Sequence, residues 1–226
     1  MPLANEVQIW IERAVDYPDT DELEIILDDI ERGRANKFLH QTDRATFIVA
    51  HALKRKRLAE KMGVKEPSQL RFSEDETGKP YLIDADIYFN LSHSHGITAL
   101  SISTTSECSV DIETHREVNQ LALLIKKTMT NQETNEIEVA SSPMKAFLDR
   151  WVVKEAFLKL SGIGLAEPLK SICTTSEIDS SQSKLNMLRG NALFFKRGKG
   201  YSLAAMASDR AKFSLETSAE RYLVAV

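Results

Sequence analysis

The chain has 226 residues, of which 42% are hydrophobic and 27% charged, so its composition is globular and excludes disordered and fibrous classes. The formal net charge of −4 gives no reason to expect nucleic-acid binding, and no stretch approaches the roughly 20 apolar residues that cross a bilayer. The N-terminus lacks the basic start and apolar run of a signal peptide, and Cys108 and Cys173 have no paired spacing, so we expect a cytoplasmic protein with reduced, structural thiols.

The first half of the chain is predicted to contain a strand, two helical stretches and three short strands. Helices are predicted from Asp21 to about Phe38 and from Asp43, as N-cap, to Lys61, with a stop near Gly63. Strands are predicted at residues 7–12, 87–92, 97–103 and 107–113, with a turn at 94–96.

A basic cluster lies in the second of these helices, at Lys54, Arg55, Lys56 and Arg57. Consecutive helical residues point about 100° apart, so the four side chains cannot all face one ligand. The pattern favours a solvated helix face. A local anion site formed by one or two of these residues is the alternative.

The second half repeats the order of the first. Thr130 and Glu133 form a capping-box pattern for a short helix, and a longer helix is predicted from Pro143 to Gly162 or Gly164. Strand patterns follow at residues 170–175, 192–196 and 201–207, with a turn at 197–200 and a closing apolar segment at 222–226. Two related lobes of roughly 110 residues are therefore predicted, with a site at their interface.

Two carboxylates, Asp111 and Glu113, share one face of the last predicted strand in the first half. Val110 and Ile112 alternate with them, so the pleat places the carboxylates on one side, roughly 7 Å apart. Such a pair suits Mg²⁺, which takes one or two protein carboxylates and fills its other positions with water and substrate phosphate. A solvated strand face with acidic residues is the alternative.

The segment WVVKEAFLKL, residues 151–160, sets charges within an otherwise apolar helix. One side can pack on a lobe core and carries Val153, Ala156, Phe157 and Leu160. The other side, which is half apolar and half charged as in a helix lining a cleft, carries Trp151, Val152, Glu155 and Lys159. An intrahelical i,i+4 pair of Glu155 with Lys159 is the alternative. The helical pattern does not predict the surroundings of Lys154.

His93 follows a strand end beside a turn, where a protonated histidine can donate to phosphate. A loop histidine without a task is the alternative. A third interpretation makes His93, His95 and His115 the zinc ligands of a hydrolase, although only Asp111 lies near them in the sequence.

Five segments then occur in order: FLHQTDRATFIVAHALKR (38–55), RFSEDETGKPYL (71–82), FNLSHS (89–94), SVDIE (109–113) and WVVKEAFLKLSGIGL (151–165). In this order and spacing they resemble the successive motifs of the surfactin-synthetase-activating type of 4′-phosphopantetheinyl transferase. The resemblance runs from about residue 30 to residue 165, and its most specific part is the last segment.

The resemblance implies an α+β monomer of two pseudo-symmetric α/β lobes, residues 1–113 and 114–226, each a small antiparallel sheet packed with helices. It places coenzyme A and Mg²⁺, with Mn²⁺ as an alternative, in the cleft between the lobes. The implied reaction moves 4′-phosphopantetheine from coenzyme A to a serine of an apo acyl or peptidyl carrier protein and releases adenosine 3′,5′-bisphosphate. Neither nucleic acid nor a membrane is an expected partner.

The resemblance also implies roles for individual residues. The metal ligands are Asp111, Glu113 and Glu155. Glu155 is also the implied base, directly or through water, while Lys159 and His93 contact the diphosphate. The residues implied to bind coenzyme A are Arg34, Arg44, Lys79, Pro80, Ser92, His93 and Lys159.

Two residues depart from the family pattern. Ser109 stands where the family usually has glycine, so the backbone before Asp111 is expected to differ. Glu31 replaces a basic residue of some members, which leaves the 3′-phosphate contact to Arg32 or Lys37. A zinc hydrolase and a carrier-binding module without catalysis are the competing functions.

Overall fold

A computed structural model describes residues 5–162, 167–174, 184–217 and 221–224 of the chain. The helices of these residues are α1 (Asp21–Glu24), α2 (Asp29–Ala35), α3 (Gln41–Met62), α4 (Leu121–Thr128), α5 (Asn131–Glu138) and α6 (Pro143–Ser161). The strands are β1 (Glu6–Arg13), β2 (Phe72–Glu74), β3 (Pro80–Leu82), β4 (Tyr88–Ser94), β5 (Ile97–Ser103), β6 (Cys108–Thr114), β7 (Lys184–Leu188), β8 (Asn191–Gly198), β9 (Tyr201–Ala207), β10 (Lys212–Thr217) and β11 (Arg221–Val224). No helix within those ranges has the length and apolar character to cross a membrane.

Two sheets organise the fold. The first has the order β11-β10-β1-β5-β4 and the second the order β6-β9-β8-β7, while β2 and β3 form a separate hairpin. The order β1-β5-β4 with α3 corresponds to β6-β9-β8 with α6, so the fold contains a repeat. The sequence predicted a repeat but counted the strand at 107–113 with the first lobe, whereas β6 pairs with β9 of the second sheet. The prediction of an α+β fold with two sheet-containing lobes is confirmed. The first sheet differs from a purely antiparallel one because β1 and β10 run parallel.

The apolar core has an inner and two outer parts. Residues from both sheets share the inner part, among them Ile9 of β1 and Val110 of β6. On the outer face of the first sheet, α3 packs through Leu53 and Leu58. On the outer face of the second sheet, α6 packs through a fully buried set that includes Val152, Val153 and Ala156. The prediction that Val152 lines a cleft is therefore wrong.

Each sheet contains a strand from the other half of the chain when the halves are divided after residue 113. Strand β6 pairs antiparallel with β9 of the second sheet, although most of it belongs to the first half of the chain. In return, β10 of the second half pairs with β1. The division into lobes at residues 1–113 and 114–226 stays a prediction.

Several local predictions hold and some are wrong. The turn between β4 and β5 is confirmed, with positive φ at His95 and Gly96, as the tight hairpin turn requires. Asp43 is not the N-cap of α3, because the helix begins at Gln41 and Asp43 lies in its first turn, where the helix dipole also favours an acid. The helical stretch from Asp21 is interrupted, because a new capping box begins α2.

The strand predicted at 170–175 is also wrong, since residues Leu169–Ser171 form a 3₁₀ turn and no strand follows in the described residues up to Thr174. Residue 175 and Gly164 lie outside the described residues. The strands at 192–196 and 201–207 and the capping box of Thr130 with Glu133 are confirmed.

The basic cluster of α3 divides between core and surface. Lys54 and Arg55 are buried, so a solvated helix face is wrong for these two. The Lys54 ammonium lies 2.8 Å from Glu31 Oε1, and the Arg55 guanidinium pairs with Glu31 and Asp28. Arg55 also donates to three main-chain carbonyls, those of Pro67, Ser68 and Leu70. Glu31 is thus a buried structural partner of two basic residues of α3.

Lys154 has the corresponding place in the second lobe. Its ammonium is fully buried and donates to Glu133 Oε2 at 2.7 Å and to the carbonyls of Thr128 and Leu169. Glu133 Oε1 accepts from the main chain and hydroxyl of Thr174. In each lobe, the third residue of a capping-box helix is a glutamate that binds a lysine of the long helix. In the second lobe, the buried pair of Lys154 with Glu133 attaches α6 to α5.

Candidate active site

Strand β6 carries Asp111 and Glu113 at an edge of the second sheet, beside the edge strand β4 of the first. Alternate side chains of β4 accept hydrogen bonds from the main-chain N–H groups of β6: Asn90 from Val110 (3.0 Å), Ser92 from Ile112 (3.4 Å) and Ser94 from Thr114 (3.4 Å). The period of two along NLSHS places all three side chains on one face. Side chains therefore join two sheet edges that would otherwise expose unpaired groups.

Asp111 is 5% exposed, so the solvated strand face considered from the sequence is wrong for this residue. Its Oδ1 accepts from the Ser92 hydroxyl at 2.8 Å and from the Lys159 ammonium at 2.6 Å. Its Oδ2 is buried and has no hydrogen-bond partner among the described residues. An unpaired buried carboxylate oxygen costs free energy, so this atom is suited to an added positive ligand.

Lys159 reaches across from α6 to β6. Besides Asp111, its ammonium contacts Ser92 Oγ at 3.0 Å and the carbonyl of Val110 at 3.3 Å. The intrahelical pair of Glu155 with Lys159 is therefore not formed, because the lysine takes the carboxylate of the neighbouring strand. The half-buried cation keeps one side toward the cleft.

Glu155 is half-buried on the same helix, and no hydrogen bond or ion pair holds its carboxylate among the described residues. Burial raises the pKa of Glu155, and the charges of Asp111 and Glu113 raise it further, while Lys159 acts against them. The pKa of Glu113 is also raised, first by burial and then by Asp111, although a hydrogen bond from Ser94 opposes this. Three carboxylates thus share one region and disfavour one another's charge.

These carboxylates fit a hard divalent cation by their chemistry. Oxygen ligands, mutual repulsion and the unpartnered Oδ2 of Asp111 are what a Mg²⁺ site offers before the ion binds. As the side chains stand, no three acidic, histidine or cysteine groups in the described ranges converge to the distances of a bound ion.

His93 lies on β4 between Ser92 and Ser94 and is exposed. The pKa of His93 is lowered, because the surrounding protein desolvates the ring and Lys159 is near, while Asp43 of α3 acts in the opposite direction. The lowered pKa favours the neutral ring at neutral pH. A phosphate bound near the ring would favour protonation of the histidine.

A cavity of about 250 Å³ brings together distant parts of the sequence. It is lined by Lys79 and Pro80 from the β2–β3 hairpin and by Glu155 and Lys159 from α6. Lys79 is also paired with Glu107. The structure thus places the GKP segment beside the helix that carries two of the predicted site residues.

The two arginines predicted to bind nucleotide lie further along the N-terminal lobe. Arg34 is exposed on α2. Arg44, on α3, pairs with Glu24 and lines a cavity of about 610 Å³ that also includes His95 and Thr114. The structure does not bring these arginines into the smaller cavity.

Sequence reasoning missed three polar residues that shape the site. Asn90 and Ser94 belong to the quoted NLSHS segment, and their period of two with Ser92 was a usable signal. Ser109 was noted only as a departure from glycine, but its hydroxyl donates to the Ala156 carbonyl of α6 at 2.7 Å. No pattern in the sequence indicates that contact.

The zinc interpretation finds no support in the histidine positions. His115 Nε2 lies 2.8 Å from Ser202 Oγ, and His95 lies in the hairpin turn. His93 is exposed on β4, and among the described residues no group of three metal-binding side chains includes it.

Comparisons with known proteins agree with the resemblance. Residues 107–210 match the family model described as the 4′-phosphopantetheinyl transferase superfamily, and residues 17–105 match that of the 4′-phosphopantetheinyl transferase N-terminal part. The chain is 31% identical over 173 residues to 4′-phosphopantetheinyl transferase HetI of Nostoc sp. PCC 7120, covering 73% of this chain and 72% of the relative. It is 24% identical over 178 residues to 4′-phosphopantetheinyl transferase Sfp of Bacillus subtilis 168, covering 77% and 78%.

Proposed function

This chain belongs to the 4′-phosphopantetheinyl transferase superfamily and is a transferase of that type, and on this premise we propose that it transfers 4′-phosphopantetheine from coenzyme A to a serine of an apo acyl or peptidyl carrier protein. The reaction depends on Mg²⁺ and releases adenosine 3′,5′-bisphosphate. The observation that carries the proposal is the buried, unpartnered Oδ2 of Asp111 beside Lys159 and two further carboxylates.

Asp111, Glu113 and Glu155 hold the metal in this proposal, with Mn²⁺ as an alternative to Mg²⁺. When bound, the divalent ion neutralises charge on the diphosphate and polarises the phosphorus that is attacked. The raised pKa values of Glu113 and Glu155 support this assignment, because a bound cation would offset both the burial and the mutual repulsion that raise them.

Glu155 is also the proposed base, directly or through water. The serine oxygen forms a bond to the β-phosphorus of coenzyme A, and the bond from that phosphorus to the bridging oxygen breaks. The serine proton passes to Glu155, whose raised pKa brings it closer to that of a working base. Lys159 stabilises the charge that develops on the leaving adenosine 3′,5′-bisphosphate.

The proposed coenzyme A surface consists of five residues, namely Arg34, Arg44, Lys79, Pro80 and His93. Lys79 and Pro80 border the cavity of Lys159, which supports a place beside the nucleotide. Arg34 is exposed and available to a phosphate, whereas Arg44 would contact it only by sharing its charge with Glu24.

The proposed contact of Ser92 with coenzyme A has a different structural basis. Its hydroxyl already donates to Asp111 and accepts from Lys159, so a contact to coenzyme A would come from its main chain.

The two proposed lobes at residues 1–113 and 114–226 supply the whole cleft from one chain. The two family matches meet near residue 106, which supports two units in the chain but assigns β6 to the second. We place the enzyme in the cytoplasm as a monomer, where apo carrier proteins and coenzyme A meet.

Incubation with coenzyme A, Mg²⁺ and several apo carrier proteins is expected to add one phosphopantetheine to at least one carrier, measured by intact mass. Omitting Mg²⁺ or adding a chelator should stop the gain, since the ion gathers the diphosphate charge. The proposal would be contradicted by a folded enzyme that modifies none of the fatty-acid, polyketide and peptidyl carriers tested. Tightly bound stoichiometric zinc in the purified protein would favour a hydrolase.

Coenzyme A binding is expected to take up protons at neutral pH through His93. The pKa of this ring is lowered in the free protein, and a bound phosphate favours the protonated ring, so binding should add a proton and affinity should rise as the pH falls through the neutral range. Calorimetry in buffers of different ionisation enthalpy measures the uptake. His93→Gln should lose it, and His95→Asn, in the adjacent turn, should keep it. Equal uptake in both variants would contradict the role of His93.

A further inference from the structure

Ser94, which neither composition nor spacing singled out, holds one of the three carboxylates. Its hydroxyl donates to Glu113 Oε2 at 2.6 Å and accepts from the main-chain N–H of Thr114 at 3.4 Å. The residue is 6% exposed, so the hydroxyl is directed into the joint between the two sheets. The bond fixes the rotamer of Glu113 and leaves Oε1 for another ligand.

Ser109 links the other two elements of the site. It lies two residues before Asp111 on β6, and its hydroxyl donates to the Ala156 carbonyl at 2.7 Å. Ala156 follows Glu155 directly on α6, and both Ser109 and Ala156 are fully buried. This bond therefore ties the strand that carries two carboxylates to the helix turn that carries the third.

We propose that Ser94 and Ser109 are positioning residues that set the mutual placement of Asp111, Glu113 and Glu155. Ser94 orients one side chain, and Ser109 sets the distance between β6 and the helix. Neither hydroxyl is placed to touch a substrate, because both side chains are buried between protein elements. Partners of this kind commonly change metal affinity by about 10- to 100-fold when they are removed.

The inference rests on the proposed function, since it concerns the same metal site. Glycine at position 109, usual in the family, cannot form the bond to Ala156. Ser109 thus supplies in this chain a link that such members must obtain otherwise. The departure from the family pattern does not disturb the strand, because Cys108–Thr114 pairs with β9 without a break in register.

The test is the affinity for Mg²⁺ in the presence of coenzyme A, measured by calorimetry without any carrier protein. Ser94→Ala should weaken Mg²⁺ binding about tenfold, because a hydrogen bond to a charged ligand is lost. Ser109→Ala and Ser109→Gly should each weaken it about threefold, as expected for one neutral hydrogen bond acting through the backbone. The matched control is Ser214→Ala on β10, whose hydroxyl also donates to a glutamate, Glu6 Oε1, at 3.2 Å.

Transfer kinetics give the second measurement. The Mg²⁺ concentration for half-maximal rate should rise in the Ser94 and Ser109 variants, while kcat at saturating Mg²⁺ stays within about twofold of the wild type. A lowered melting temperature with unchanged Mg²⁺ affinity would reduce both serines to structural residues and overturn the inference. If the wild type itself binds no Mg²⁺ with coenzyme A, the proposed function fails before the positioning roles are reached.

Discussion

Replacing Glu155 by glutamine is expected to reduce phosphopantetheine transfer by at least about a thousandfold, because the change removes a base and an anionic metal ligand together. General-base catalysis alone contributes about 10² to 10⁴ in rate, and a neutral amide binds a hard cation less well than a carboxylate. The measurement is single-turnover mass gain of an apo carrier. Near-normal turnover would refute the role of this residue.

The same variant is expected to fold and to be at least as stable as the wild type. Among the described residues the Glu155 carboxylate has no hydrogen bond to lose, and burial and like charges raise its pKa, so an uncharged amide of equal size relieves repulsion. The matched control is Glu60→Gln, an exposed glutamate on the other long helix, which should leave transfer unchanged. A melting temperature well below that of the wild type would show that lost activity reflects unfolding.

Replacing Lys154 by alanine is expected to cost about 3–5 kcal/mol of unfolding free energy, because it leaves the buried Glu133 carboxylate without its cation. The lysine is fully buried, and its three hydrogen bonds connect α6 to the end of α4, to α5 and to the Leu169 carbonyl. Denaturant unfolding followed by tryptophan fluorescence measures the change. Lys145→Ala, at an exposed position of the same helix, should change stability by less than about 0.5 kcal/mol.

A double variant separates the lost charge from the lost packing. Lys154→Met keeps most of the side-chain volume but leaves the Glu133 charge unpaired, and adding Glu133→Gln removes that charge, so we expect the double variant to be more stable than Lys154→Met alone. If the double variant is no better, the buried charge is not the cause of the loss.

The pair should also show a defined pH dependence. Burial alone would raise the pKa of Glu133, but hydrogen bonds from Lys154, Thr130 and Thr174 hold it below its ordinary value of 4.5. The stabilisation is therefore present above about pH 4.5 and is lost as the pH falls through the folded-state pKa. The stability difference between wild type and Glu133→Gln should accordingly shrink in acid.

Much of the site could be predicted because its parts have strong local patterns. The alternation around Asp111 and Glu113 placed both carboxylates on one face before any contact was known. Family resemblance then added Glu155 and Lys159, which the helical period placed on one side of α6.

The sequence patterns did not predict which charged side chains are buried. Lys54, Arg55 and Lys154 look like surface charges in the sequence, because hydrophobic period treats every lysine and arginine as solvent-facing. Their burial depends on glutamates more than 20 residues earlier, at 31 and 133. No local rule joins residues at that separation.

The sequence by itself determined the family, the reaction type, the α+β class and the identity of the charged residues, since these follow from residue types in a recognisable order and from short-range periodicity. Only the tertiary structure determined which charged side chains form ion pairs with each other. Lys159 pairs with Asp111, whereas Glu155 has no hydrogen-bond partner among the described residues. Asn90, Ser92 and Ser94 join β4 to β6. The reason is that hydrogen bonds and ion pairs act over about 3 Å in space, and only the packing of two sheets and two long helices sets those distances.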